Sequence, residues 1–279
     1  MIGKFKKIKN RKAKTISFII LSLITIFFML PYVWMIANSL KPMKEVLLKP
    51  GVLFPESPSL DNYIKVLTKT PFFLWLKNSI VVTVTNTLIV LITSSILGFI
   101  YSRYRFKGRE TSFKLLVSTM MVPAQVTMIP SFILITRLGL YNNLLALIIP
   151  AFTSVYGIYL AKQFIDELPR ELFESAELDG ASGFTVYRRI VMPNIKPALT
   201  SLVMTTALGY WNDFLNPLIY LSSPEKQTLP LALSYFSTQH VTDTATVMAA
   251  SALIILPISI VFIFFQKKFI KGITMTGMK

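Results

Sequence analysis

Long apolar runs constrain this chain more than any other feature. A helix that crosses a bilayer needs about 20 mostly apolar residues. Stretches at 16–37, 72–101, 113–135, 144–164, 198–221 and 244–266 approach or exceed that length. Inside hydrocarbon every backbone N–H and C=O must find a partner within the chain, and a helix provides those partners locally. The expected fold class is therefore all-α integral membrane, with six transmembrane helices in one domain at 16–266. A basic tail at 1–15 precedes it and a second tail at 267–279 follows it. A basic tail before an apolar run also describes a signal peptide. The first run is long for that role and lacks a clear small-x-small cleavage site, so an uncleaved span is expected.

The formal net charge is +16, which by itself could point to nucleic acid. The basic residues, however, are scattered at the ends of the apolar runs, which is the pattern of membrane topology. Membrane lipid is expected as a partner and nucleic acid is not. The 1–14 tail, the 103–114 loop, the 162–198 loop and the C-terminal tail are rich in Lys and Arg, whereas 137–143 and 222–243 hold only Arg137 and Lys226. The positive-inside rule then makes the protein multi-pass in the cytoplasmic membrane, with both termini cytoplasmic. One segment fits poorly: 38–71 carries Lys41, Lys44, Lys49, Lys65 and Lys69 on the outer side.

Several kinds of chemistry find no residues. There is no cysteine, hence no disulfide, cysteine-ligated metal or cysteine nucleophile. His240 is the only histidine and reads as a surface residue on a polar loop. No metal cluster, nucleophile–base pair or carboxylate pair appears. No Gly-x-x-x-x-Gly-Lys-Ser/Thr loop is present to cradle phosphates. The chain is expected not to be an enzyme and to bind no cofactor or metal.

Within the runs, 72–101 carries Asn78, Ser79, Thr83, Thr85, Asn86, Thr87, Thr93, Ser94 and Ser95. Small polar residues let helices approach closely and hydrogen-bond across the contact, and that reading is preferred over direct substrate contact. Pro123 and Pro130 interrupt 113–135 around Gln125, marking a kink beside a pathway or a kink of packing. Asp213, within Trp211-Asn212-Asp213-Phe214, is the acidic residue placed inside a span. An intramembrane carboxylate is costly and is a functional candidate; alternatively it sits at the interface and bonds to Asn212 or a neighbouring helix. Trp211, Asn212, Asp213 and Asn216 are the candidate substrate-pathway residues. Outside the spans, 59–67 reads as a short amphipathic helix.

The stretch 165–197 is polar enough that it has to leave the bilayer. Pro169 suits a first helical turn. Glu171, Glu174 and Glu177 share one face, and Leu168, Leu172, Phe173 and Ala176 mark the opposite one. Asp179-Gly180 stops this helix, and Ser182 is placed to cap a second. In the second, Phe184, Tyr187 and Ile190 or Val191 are expected on one side. Arg188 and Arg189 lie near its C-terminus, and Pro193 and Pro197 end it. The product is a docking surface or an interfacial hairpin.

The spacing Glu174-Ser175-Ala176, three residues, Gly180, nine residues, Ile190, Val191, Met192-Pro193 resembles the EAA loop of ATP-binding-cassette (ABC) importer permeases, with Ser175 for Ala and Met192 for Leu. Asp179-Gly180-Ala181 also matches the form common there. Trp211 to Phe214, the stretches 221–230 and 248–251, and the ending Phe269-Ile270-Lys271-Gly272-Ile273-Thr274 are similar to the carbohydrate branch, close to the smaller permease subunit of maltose-type systems. The resemblance implies a type I importer permease fold with a cytoplasmic coupling helix that enters a cleft of an ATPase subunit. Glu174, Ser175, Ala176, Asp179, Gly180, Ala181, Ile190 and Pro193 would form that coupling element. It further implies a second permease chain in a heterodimer, two ABC ATPase subunits that carry ATP and Mg, and an extracytoplasmic sugar-binding protein. The implied function is import of a sugar or oligosaccharide by ATP-driven alternating access. The alternatives are a permease for a non-sugar solute and a secondary transporter working without ATP. In maltose-type systems the partner chain supplies most sugar contacts, so the identity of the sugar is not expected to be legible in this subunit.

Overall fold

The computed structural model describes residues 2–238 and 243–276, with side chains at 13–234, 236, 243–264 and 266. His240 and the basic side chains of residues 4–12 and 267–279 lie outside the described residues. The described chain is helical and contains no strand, as runs of this length in hydrocarbon require.

Among the described residues, four helical stretches are long and apolar enough to cross a membrane: Ala13–Ser39, Phe72–Arg103, Leu145–Asp166 and Thr244–Phe264. The expected third and fifth spans take other forms. Arg109–Met121 and Ala124–Arg137 are bent by 103° and make one broken span or a re-entrant loop. The break falls at Val122, which is extended (φ −85°, ψ 118°). The ring of Pro123 disfavours helical backbone in the residue before it. Pro130 lies inside Ala124–Arg137 without ending it. The expected 198–221 span is divided into Lys196–Trp211 and Leu215–Tyr220. Its first piece has 16 residues, about 24 Å at 1.5 Å per residue, short of the hydrocarbon thickness.

The chain divides into two compact units, Met1–Thr70 with Phe236–Leu253, and Pro71–Tyr235 with Ile254–Lys279. In the first, the expected amphipathic helix forms as Asp61–Lys69. Asn62 fastens it by donating to the carbonyls of Ser39 and Lys41 at 2.8 and 2.9 Å. Lys41, fully buried, donates from its Nζ to the Val52 carbonyl. Asp243 accepts from the Thr246 backbone N–H at 3.1 Å and its hydroxyl at 2.7 Å, capping the start of Thr244–Thr276. None of the most apolar part of Ala13–Ser39 is buried, so those side chains face lipid or another chain.

In the second unit, Phe72–Arg103 is the axis along which Val155–Asp166 and Lys196–Trp211 pack. Several of its small polar residues bond across to neighbouring segments. Asn86 donates to the Leu147 carbonyl at 2.9 Å. Asn78 donates to the carbonyls of Glu225 and Gln227, both at 2.9 Å. Ser79 accepts from the Leu229 N–H at 2.7 Å. The segment after Tyr220 is more ordered than a polar loop: it holds a 3-10 turn at Pro224–Lys226 and a helix at Leu229–Thr238.

These contacts sort to the two ends of the axial helix. At its N-terminal end, Trp75 and Asn78 bind the 224–227 backbone. Asn142, in the left-handed region at φ 58°, accepts from the N–H groups of Ser222 and Ser223 through its side-chain oxygen. At the C-terminal end, Ser102 and Arg103 meet Asp166, Ile165 and Leu168. The ends lie about 40 Å apart at 1.5 Å per residue.

Candidate functional site

The 165–197 stretch folds into a helical corner. Its first helix is Glu171–Leu178, with Glu171 and Glu174 in the first turn, where the helix dipole favours negative charge. Pro169 lies just outside it, because Arg170 is the capping residue. Glu171, Glu174, Ser175 and Glu177 are exposed, while Phe173 and Ala176 are buried. Leu172, expected inside, is 37% exposed.

Gly180 makes the corner. Its φ is +70°, a left-handed conformation that costs other L-residues about 1–2 kcal/mol. The Ala181 N–H bonds to the Ala176 carbonyl at 2.9 Å and the Gly180 N–H to the Glu177 carbonyl at 3.0 Å. This pair of bonds is the Schellman closure of a helix. Ala181 packs on the cluster that includes Ala176, supplying the apolar contact that accompanies it. Ser182 then caps the second helix, accepting from the Thr185 N–H at 3.3 Å.

In the second helix, Tyr187, Ile190 and Val191 pack on one cluster as expected, and Phe184 stays outside it. The helix starts as Gly183–Val186, widens into a π turn at Tyr187–Val191 and continues as Met192–Asn194. The wide turn places Val186 and Val191, five positions apart, inside the same cluster as Phe99, Ile165 and Phe173. Phe184, in the turn before it, is 70% exposed. Pro193 does not end the helix as expected: it sits within Met192–Asn194, and the break comes at Ile195, before Pro197. A π turn is a common accommodation at functional positions. The Tyr187 hydroxyl ties it to Ser95 of the axial helix at 2.8 Å.

The corner therefore offers an acidic face together with two exposed apolar residues, Leu178 at 90% and Phe184 at 70%. Leu178 lies four positions after Glu174, on the polar side. That placement is its sequence signal, and counting only the apolar face overlooks it. Behind the corner lies a recess of about 620 Å³, lined by Arg103, Arg105, Arg109 and Arg170 together with Glu174 and Glu177.

The other candidate residues separate. Asp213 and Asn216 line a cavity of about 450 Å³ with Ser154, Tyr156, Thr205 and Tyr210. The Asp213 carboxylate accepts from the Asn216 backbone N–H at 3.2 Å and its side-chain amide at 2.8 Å, so the carboxylate also starts the Leu215–Tyr220 helix. Trp211 is buried and donates from its indole to the Ile254 carbonyl at 3.2 Å. Asn212 is exposed and donates to the Leu208 carbonyl at 2.9 Å. Neither Trp211 nor Asn212 lines the cavity. Among the described residues no group of three or more His, Cys, Asp or Glu is placed to hold a metal ion.

Residues 93–275 match the family model described as the binding-protein-dependent transport system inner membrane component. The chain is 37% identical over 273 residues to the arabinooligosaccharides transport system permease protein AraQ of Bacillus subtilis, with 96% of each chain covered. It is 29% identical over 269 residues to the galactooligosaccharides transport system permease protein GanQ of the same species, with 94% of each covered. Its fold is similar to a chain of a bacterial ABC transporter involved in the import of the acidic polysaccharide alginate, with a TM-score of 0.81 and 23% identity, covering 94% of this chain and 98% of that one.

Proposed function

We infer the role of this chain from one premise: it belongs to the family of binding-protein-dependent transport system inner membrane components. It is a multi-pass membrane transport component and not an enzyme. The proposed function is that of one permease subunit of an ABC importer for a sugar or oligosaccharide. Full-length similarity to permease proteins of two oligosaccharide systems supports the substrate class. ATP and Mg belong to two partner ATPase subunits, a second and related permease chain completes the pathway, and an extracytoplasmic binding protein delivers the sugar.

The observation that carries the mechanism is the 171–191 corner. Glu174, Ser175, Ala176, Asp179, Gly180, Ala181, Ile190 and Pro193 are the residues proposed to couple this chain to an ATPase subunit. A helix closed by Gly180, with Leu178 and Phe184 projecting from an acidic body, is a convex element suited to a cleft. It lies at the Arg103 end of the axial helix, which the basic 103–114 loop follows, and the positive-inside rule puts that end in the cytoplasm. The Asn142, Ser222 and Ser223 contacts then fall at the outer end, with both termini inside. Asp213 and Asn216, at the break between Lys196–Trp211 and Leu215–Tyr220, are the proposed pathway residues, and Trp211 and Asn212 support them. The cavity lining has hydroxyls, phenols, an amide and one carboxylate but no basic residue, which favours a neutral saccharide over an acidic one.

The test is purification of the chain with its membrane and ATPase partners, followed by ATPase assays in lipid with and without Gly180→Pro. Proline fixes φ near −65°, and this position needs +70°. Wild type should show ATP hydrolysis stimulated by sugar-loaded binding protein, and Gly180→Pro should lose that stimulation or release the ATPase subunit. An ATPase that does not copurify, together with a silent substitution, would overturn the reading.

A further inference from the structure

We propose that Arg103 is the positioning residue that locks the 171–178 helix to the membrane-spanning helices, so that displacement of the corner moves the axial helix and is not absorbed by the linker. The proposal rests on reading that corner as the coupling element.

Arg103 is the last residue of Phe72–Arg103. Its Nη2 donates to the Ile165 carbonyl at 2.9 Å and to the Leu168 carbonyl at 3.2 Å. Its guanidinium carbon lies 3.5 Å from the centroid of the Phe173 ring. Ile165 belongs to the last turn of Val155–Asp166, Leu168 to the linker, and Phe173 to the buried side of Glu171–Leu178. One side chain thus joins the end of the axial helix, the end of Val155–Asp166, the linker and the corner.

The chemistry needs arginine. Carbonyls at a helix C-terminus carry partial negative charge and favour a cation. A planar guanidinium can donate in its plane while its face stacks on an aromatic ring, which a lysine ammonium cannot do at once. The residue before it strengthens the joint: Ser102 donates to Asp166 at 2.6 Å, and Lys162 pairs with the same carboxylate. Within the linker, Leu168 packs on the cluster that holds Ile165 and Phe173, and its N–H bonds to the Ile165 carbonyl at 3.2 Å, so the linker sits against the same joint. The other arginines of the recess do not share this geometry. Arg105 and Arg170 are exposed, and Arg109 reaches only the Tyr104 carbonyl, at 3.4 Å.

The test uses the assembled importer in lipid vesicles. Arg103→Met, Arg103→Lys, Phe173→Leu and the double variant Arg103→Met/Phe173→Leu are compared for ATPase subunit bound, ATP hydrolysed and labelled oligosaccharide taken up. Arg103→Met should retain the ATPase subunit yet move about fivefold less substrate per ATP, the lower end of typical coupling between sites. Arg103→Lys should fall between it and wild type, because it keeps the charge and a carbonyl bond but not the stacked fork. The double variant should be no worse than Arg103→Met alone, since both changes remove one joint. Uptake per ATP at the wild-type ratio in Arg103→Met, or uptake falling only in proportion to assembled complex, overturns the proposal. If Arg103→Met fails to assemble, wild-type ratios in both Arg103→Lys and Phe173→Leu overturn it. Gly180→Pro is run in parallel. If it leaves coupling intact, the reading of the corner has failed; if it uncouples while the Arg103 variants do not, only the positioning role has.

Discussion

A Cβ built on Gly98 would lie 2.7 Å from the Ala161 Cβ and 2.9 Å from the Lys162 nitrogen. Real side chains do not approach so closely, so the axial helix and Val155–Asp166 meet backbone to backbone here. One turn away in the axial helix the same seam repeats with Ser94 against Gly157. Close approach of small residues replaces the hydrophobic effect, which contributes little between helices in lipid. Gly98→Ala should cost about 1–3 kcal/mol, the usual range for overpacking, and Gly98→Leu should give no assembled protein. Thermal unfolding in detergent, followed by size-exclusion chromatography, checks both.

Leu178 and Phe184 make the opposite prediction. Both are exposed, so Leu178→Ser and Phe184→Ser should change the chain's own stability by no more than about 0.5 kcal/mol. If they enter an ATPase cleft, each is a candidate anchor whose loss costs more than about 1 kcal/mol of binding, roughly fivefold or more in affinity. Titrating the purified ATPase subunit against the membrane component, with melting temperature measured in parallel, separates the two effects. Equal affinity in both variants would remove these residues from the interface.

These examples mark where the sequence was legible. Runs of about 20 apolar residues identify helices because hydrocarbon offers no alternative. Gly180 and Ser182 were readable because a left-handed corner and a capped helix start each call for few residue types. The broken spans were harder. Pro123 points to an interruption but not to a 103° bend, and 198–221 divides where Pro217 cannot bond the Asp213 carbonyl and the Asp213 side chain bonds Asn216. Along 183–194, Tyr187, Ile190 and Val191 share one cluster as their spacing suggests, but the π turn that also brings Val186 into it has no signal in a period of 3.6 residues per turn. Arg103 carried no signal of its own. It reads as one more basic residue at the end of a span, and its partners lie more than sixty positions away.

Asp243 predicts a dependence on pH. Burial pushes its carboxyl up, but bonds from the Thr246 hydroxyl and N–H, with nearby Lys65, outweigh burial and hold it below the usual carboxylate range. The folded protein therefore binds this proton more weakly than the unfolded chain. The stability it contributes is complete above the unfolded value, near pH 4, and is lost as pH falls through the lower folded value. Asp243→Asn, which still accepts from the Thr246 N–H, should show a shallower loss of melting temperature below pH 4. Asp243→Ala should lose about 0.5–2 kcal/mol at neutral pH, as expected when a helix cap is removed. Melting curves from pH 7 to pH 3 decide this, and parallel curves for wild type and Asp243→Asn would refute it.

Asp213 serves two roles that substitution can separate. Its carboxylate starts the Leu215–Tyr220 helix by accepting from the Asn216 N–H, and it lines the 450 Å³ cavity beside Tyr156 and Tyr210. Asparagine keeps an acceptor for that N–H and is about as good a helix starter as aspartate, so Asp213→Asn should fold normally. It removes the charge, however, and hydrogen bonds to a charged group contribute about 1.5–3 kcal/mol where neutral ones contribute about 1. If a sugar hydroxyl bonds this carboxylate during transport, uptake by Asp213→Asn at subsaturating sugar should fall about tenfold, the equivalent of 1.4 kcal/mol. Asp213→Ala should lose both the helix start and the sugar contact. Comparing uptake with melting temperature for the two variants distinguishes the roles. Normal uptake in Asp213→Asn, with a destabilised Asp213→Ala, would reduce Asp213 to a helix starter.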